Sequence, residues 1–273
     1  MNFDPSGPRP QHRLAQGAAN IDLWLAYYHE IVDTTLLESM RVLLDDAERD
    51  QHQRFHFEDD RKRYLVTRAL VRTVLSRYAP VDPADWTFSA NAWGRPEIAT
   101  RHCDAAGLCF NISHTRGLIA LAVTRGRALG VDVESLVARP ASIGIAERFF
   151  APAEVADLAA LAPEQRHDRF YEYWTFKEAY IKARGMGLSL PLERFSFHFP
   201  DDRSVRLAIG PELGDDAERW GLWQLRPTPS FLLALCAERL EDQPTLAVRK
   251  IIPTAGDELV AAAPLRSSSW RAG

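Results

Sequence analysis

Apolar positions along this chain recur with two periods, and their order predicts the elements. Ile21 to Tyr28 is an apolar, aromatic run that reads as a first strand. Leu37 to Phe55 reads as one charged surface helix, closed by an acidic break at Glu58-Asp59-Asp60. From Arg61 to Tyr78 the period is helical, with Tyr64, Val71, Leu75 and Tyr78 on one face, and Ala79-Pro80 ends the run. The stretch 80–100 is loop-rich, with a turn at Asn91 to Pro96. Short strands follow at 110–113, 118–124 and 129–134, then helical patterns at 145–150 and 154–161. The clearest helix spans about 163–184, and Gly185 supplies its stop. Strand-like runs return at 195–199, 205–209, 220–226, 231–237 and 246–252.

Strands come in groups rather than alternating with helices, which predicts an α+β fold over a doubly wound sheet. The pattern divides the chain into a disordered tail at 1–20, an N-terminal half at 21–129, a C-terminal half at 130–252 and a frayed tail at 253–273. The halves meet near Gly130, with no sequence repeat between them.

Composition removes several classes. In 273 residues, 33 Lys and Arg stand against 37 Asp and Glu, a formal charge of -4 that does not fit a general nucleic-acid binder. No apolar run is long enough to span a membrane, and the polar N-terminus has no signal-peptide core, so a cytoplasmic protein is expected. Cys103, Cys109 and Cys236 show no CxxC spacing and read as reduced thiols.

Four groups of residues carry candidate chemistry. Asp132 and Glu134 lie two apart in GVDVE at 130–134 and share one face of a strand. Such a pair suits Mg²⁺, which takes one or two carboxylates plus phosphates and water; the plain alternative is that both face solvent. Trp174, Glu178 and Lys182 recur every four residues on the longest helix. Glu178 is a candidate third ligand or general base and Lys182 a candidate diphosphate contact; the alternative is an exposed ion pair. In FNISHT at 110–115, Ser113 and His114 are candidate phosphate donors. No GxSxG elbow surrounds them to favour a Ser-His nucleophile. Between Arg61 and Arg77 stand six basic residues and no acid. Arg68 falls within the apolar stripe and needs an anionic partner or polar pocket, whereas the other positions fit a solvated basic face. Arg95 adds a cation on the GRP turn at 94–96. No P-loop and no Rossmann glycine pattern is present.

Taken in order, GRP (94–96), FNISHT (110–115), GVDVE (130–134), ERFF with a following Glu154 (147–154) and WTFKEAYIKARGMGLSLPL (174–192) resemble the 4′-phosphopantetheinyl transferases. The nearest subgroup is the broad-specificity, surfactin-synthetase-activating, Sfp-like type, and the resemblance covers about 54–197. It implies two similar α/β halves related by a pseudo-twofold, with coenzyme A in the cleft between them. It implies Mg²⁺ on Asp132, Glu134 and Glu178, Lys182 on the diphosphate, and Ser113 and His114 on the nucleotide phosphates. Arg95 takes the place of the family's basic residue before Pro, and Arg63 and Arg68 are candidates for the 3′-phosphate. The resemblance does not settle the role of Glu154. Some members carry lysines upstream, where this chain has Glu48, Arg49, Gln51 and Arg54.

The implied reaction moves 4′-phosphopantetheine from coenzyme A to a serine of an apo acyl or peptidyl carrier protein, releasing 3′,5′-ADP. Fatty-acid, polyketide and peptide-synthetase carriers are all open. Nucleic acid and membrane are not expected partners, and a monomer is expected because both halves of the cleft lie in one chain. Two rivals are a non-catalytic binder of coenzyme A or carrier and a Mg²⁺-dependent nuclease. The first conflicts with an intact set of Asp132, Glu134, Glu178 and Lys182. The second conflicts with Glu178 and Lys182 standing four apart on a helix.

Overall fold

The computed structural model describes residues 20–138, 143–241 and 243–270. The tail expected at 1–20 lies, except for Asn20, outside them. Strand β1 (Ile21–Ala26) stops short of Tyr28, which opens a 3-10 turn. The pattern predicts one helix over 37–55, but the structure has two, α1 (Thr34–Arg41) and α2 (Asp46–Arg54). Asp45 divides them: it accepts from the Glu48 amide while Glu48 accepts from the Asp45 amide, a reciprocal cap that starts a new helix. The predicted acidic break is instead the first turn of α3 (Glu58–Leu75), where negative charge suits the positive end of the helix dipole.

The predicted turn at 91–96 joins strands β2 (Phe88–Ala90) and β3 (Pro96–Ile98) into a hairpin. Then come β4 (Leu108–Thr115), β5 (Leu118–Arg125) and β6 (Leu129–Ser135). Helices α4 (Ile143–Phe149), α5 (Pro152–Ala160) and α6 (Pro163–Arg184) follow, the last ended by Gly185 at φ 67°. The remainder is β7 (Phe195–His198), β8 (Arg206–Ile209), β9 (Trp220–Thr228), β10 (Phe231–Glu238), β11 (Leu246–Ile252), β12 (Gly256–Val260) and β13 (Arg266–Ser267).

The fold is α+β, with two main sheets ordered β12-β11-β1-β5-β4 and β13-β9-β10-β6. β1 pairs in parallel with β11, so late sequence completes the sheet that the first strand begins. The fraying expected at 253–273 does not occur over its strands: β12 pairs with β11, and β13 pairs with β9.

Strand alternation sorts the apolar side chains into three cores. On β5, Ile119, Leu121 and Val123 join α3 residues such as Leu70 and Val74. On β10, Leu232, Ala234 and Cys236 join α6 residues such as Phe176 and Ala179. Between the sheets lie Leu23, Ala120, Val131, Val133 and Leu235. Each main sheet thus buries one face against a long helix and the other against its neighbour.

Candidate active site

β4 and β6 are edge strands of different sheets. They meet through side chains. Asn111 Oδ1 accepts from the Val131 amide at 2.9 Å, Ser113 Oγ from Val133 at 3.4 Å and Thr115 Oγ1 from Ser135 at 3.2 Å. Every second residue of FNISHT therefore satisfies an exposed edge amide of β6. With Val131 and Val133 turned into the intersheet core, Gly130, Asp132 and Glu134 turn toward α6. Gly130 lets the helix settle there. A β-carbon on it would stand 2.9 Å from the Lys182 carbonyl carbon and collide with Ala179 O and Ala183 N.

This contact lays Glu178 and Lys182 over the carboxylates of β6. Lys182 Nζ donates to Asp132 Oδ1 at 2.6 Å and to Ser113 Oγ at 2.9 Å, and Ser113 Oγ donates to Asp132 Oδ1 at 2.8 Å. The alternative of an exposed Glu178–Lys182 pair is not formed among the described residues; Lys182 pairs with Asp132 instead. Asp132 is buried, and its Oδ2 has no hydrogen-bond partner among the described residues. Trp174 Nε1 donates to Glu134 Oε1 at 3.2 Å. Burial, then the charge of Asp132, pushes both Glu134 and Glu178 up to about 7, while Lys182 pulls each back. Glu178 also raises Glu134, so the three carboxylates feel one another.

Five other residues singled out from sequence have different surroundings. His114 is exposed, on the face of β4 opposite Ser113. Part of its surface reaches solvent, but loss of water on the protein side of the ring, then the Arg63 guanidinium, holds its imidazole below the ordinary range, with Lys182 adding to the effect. Arg63 pairs with Asp60 at 2.7 Å and remains part-exposed. Arg68 has the anionic partner its apolar position demands: Glu48, which Nε meets at 2.6 Å. Glu48 also binds Arg72, a fully buried guanidinium at 2.8 Å that further donates to the Trp86 carbonyl. Arg95 spends its Nη atoms on three carbonyls, Lys182 at 2.9 Å, Leu129 at 3.1 Å and Phe110 at 3.3 Å. It clamps the end of α6 to β4 and β6, and Asn91 adds a bond to Gly185 O.

Glu154 is buried, not a pocket acid. It accepts from the amides of Ala151 and Phe197 and pairs with Lys177 at 2.8 Å. Lys177, which the sequence reading passes over, is fully buried and donates to Leu192 O and Phe195 O. No local sequence signal marks it; its partner is 23 residues away.

Among the described residues, no three His, Cys, Asp or Glu side chains converge as a ready-made metal cage. The donors present still suit a hard divalent cation. They are carboxylate oxygens, one of them orphaned and buried, and Mg²⁺ binds through only one or two protein carboxylates when phosphates complete its shell. Among these residues no helix is long and apolar enough to cross a membrane.

Residues 128–236 match the family model described as the 4′-phosphopantetheinyl transferase superfamily, and residues 33–125 match the model for the 4′-phosphopantetheinyl transferase N-terminal region. A 4′-phosphopantetheinyl transferase of Bacillus subtilis is 35% identical over 200 residues, 73% of this chain and 84% of the relative. The 4′-phosphopantetheinyl transferase Sfp of Bacillus subtilis (strain 168) is 34% identical over the same shares. The 4′-phosphopantetheinyl transferase HetI of Nostoc sp. is 32% identical, covering 76% of this chain and 84% of that one.

Proposed function

This chain belongs to the 4′-phosphopantetheinyl transferase superfamily and is a phosphopantetheinyl transferase, and we propose that it moves the 4′-phosphopantetheine arm of coenzyme A onto a serine hydroxyl of an apo acyl or peptidyl carrier protein. The observation that carries this reading is the triangle of Lys182, Asp132 and Ser113 beside Glu178, held by the close seating of α6 on β6.

The carrier's serine oxygen attacks the phosphorus that bears the pantetheine arm. A new P–O bond forms, and the bond to 3′,5′-ADP breaks. Glu178, which has no ion-pair partner among the described residues, takes the hydroxyl proton. Lys182 neutralises charge on the diphosphate, with the Ser113 hydroxyl beside it. A Mg²⁺ ion on Asp132, Glu134 and Glu178 would add positive charge at that diphosphate. His114 and Arg63, neighbours by the effect of one charge on the other, receive the 3′-phosphate. Arg68 and Arg95 act one step back, Arg68 through Glu48 and Arg95 through the end of α6.

The carrier docks on α4, where Ile145 and Phe149 are exposed and Arg148 lies over the Phe149 ring at 5.2 Å. Apolar side chains with a cation suit the acidic helix of a carrier. Next to Phe149, Phe150 is turned inward and buried against Phe170 and Trp174. The enzyme acts as a monomer. Mass spectrometry tests the reaction: an apo carrier with coenzyme A and Mg²⁺ gains about 340 Da on one serine, and an unmodified carrier contradicts it.

A further inference from the structure

Among the buried cations that the proposed chemistry does not use, Arg127 stands apart. Arg127 lies in the turn between β5 and β6, only 2% exposed, and its three guanidinium nitrogens meet no hydrogen-bond partner among the described residues. Glu238 acts on its charge but is engaged elsewhere, accepting from the Ala128 amide at 3.1 Å and from Arg219 at 2.8 Å. An unpaired buried guanidinium is costly, and native proteins seldom keep one.

Arg127 lines a cavity of about 700 Å³ between the β2–β3 hairpin, the segment leading into β4 and the β5–β6 turn. Arg95 lines it too, and its Nε is likewise buried and unpartnered. Ile98, Leu108 and Phe110 give the wall an apolar part. Glu97, Thr100, His102 and Glu238 line it as well, so the wall is mixed, and a space of this volume with an apolar part suits a small molecule. The forked guanidinium suits a carboxylate or phosphate. Burial draws both arginines below their ordinary pKa, as for cations short of counter-charge. Arg127 stands in the turn before β6, and none of Ser113, Asp132, Glu178 and Lys182 lines the cavity, so it is separate from the Lys182–Asp132 site.

We propose that this cavity is a second ligand site, for a small molecule whose carboxylate or phosphate pairs with Arg127 and whose body lies against Ile98, Leu108 and Phe110. Thermal melting of the full chain tests it, with coenzyme A at saturation so that the phosphate contacts of the transfer site are filled. Inorganic phosphate and succinate are the probes, and the one that acts identifies the oxyanion. A saturable rise of a few degrees in Tm with either probe, lost in Arg127→Met, is the expected result. No shift with either probe in the wild type, or an undiminished shift in Arg127→Met, overturns the site. Should Arg127→Met not fold, Ala99→Leu decides in its place: it narrows the cavity and leaves the guanidinium, so a weakened shift supports the site and an unchanged one overturns it.

Discussion

Gly130 lies so close beneath Ala179 that a β-carbon at position 130 would collide with the Ala179 carbonyl oxygen. The glycine of GVDVE is therefore a packing requirement, and it sets the height of α6 above Asp132. Gly130→Ala should cost about 1–3 kcal/mol, the range for overpacking a tight contact. It should also reduce transfer by displacing Lys182 from Asp132. Urea unfolding and holo-carrier formation check both. A variant of normal stability and turnover would show that the helix does not depend on this approach.

Arg95 ties the last turn of α6 to two strands through three carbonyls. A lysine keeps the charge but cannot span all three. Arg95→Lys should lose about 1–2 kcal/mol of stability. It should lower kcat more than it raises the KM for coenzyme A, because the geometry of Lys182 suffers first. A rise in that KM alone, with an unchanged melting temperature, would make Arg95 a direct contact with the substrate.

Glu154 and Lys177 form an ion pair with both side chains at 0% exposure. Removing one partner leaves the other charge buried, so Glu154→Gln should cost about 3–5 kcal/mol. Turnover per folded molecule at low temperature should stay near that of the wild type. A large fall in kcat without loss of stability would place Glu154 in the chemistry instead.

The sequence carries the strand groups, the long helix with its glycine stop and the motif order, because periodicity and family motifs are local properties. It also shows that Arg68 needs an anionic partner or a polar pocket, since a cation sits in an apolar stripe. It does not show which of the two applies: the partner is the anion Glu48, which a second helix brings in. The same limit hides Lys177. The Glu178–Lys182 spacing suggests a surface pair, yet β6 offers Lys182 a better partner in Asp132. The Ala- and Ser-rich end reads as frayed because its strands owe their order to pairing with β11 and β9, not to their own apolar pattern.

Asp215 links the end of α6 to β9. It accepts from Tyr180 Oη at 2.7 Å, from Trp220 Nε1 at 2.8 Å and from Arg184 at 2.7 Å. Burial alone would raise its carboxyl, but the Tyr180 and Trp220 bonds and the Arg184 charge outweigh it and hold the pKa below the usual carboxylate range. A carboxyl depressed in the folded state adds stability above its unfolded pKa, about 3.9, and loses it as pH falls through the folded value. Asp215→Asn should therefore be less stable than wild type at pH 7, and the gap should narrow as pH falls below about 4. Chemical denaturation across that range checks the sign; a gap that widens on acidification would contradict it.

The central claim is that Glu178 takes the serine proton while Lys182 holds the diphosphate. Single-turnover formation of holo-carrier by Glu178→Gln, with the Kd for coenzyme A measured by calorimetry on the same protein, tests it most directly. The transfer rate should fall by about 10²–10⁴-fold with coenzyme A affinity largely kept. Near-normal turnover in that variant would contradict it.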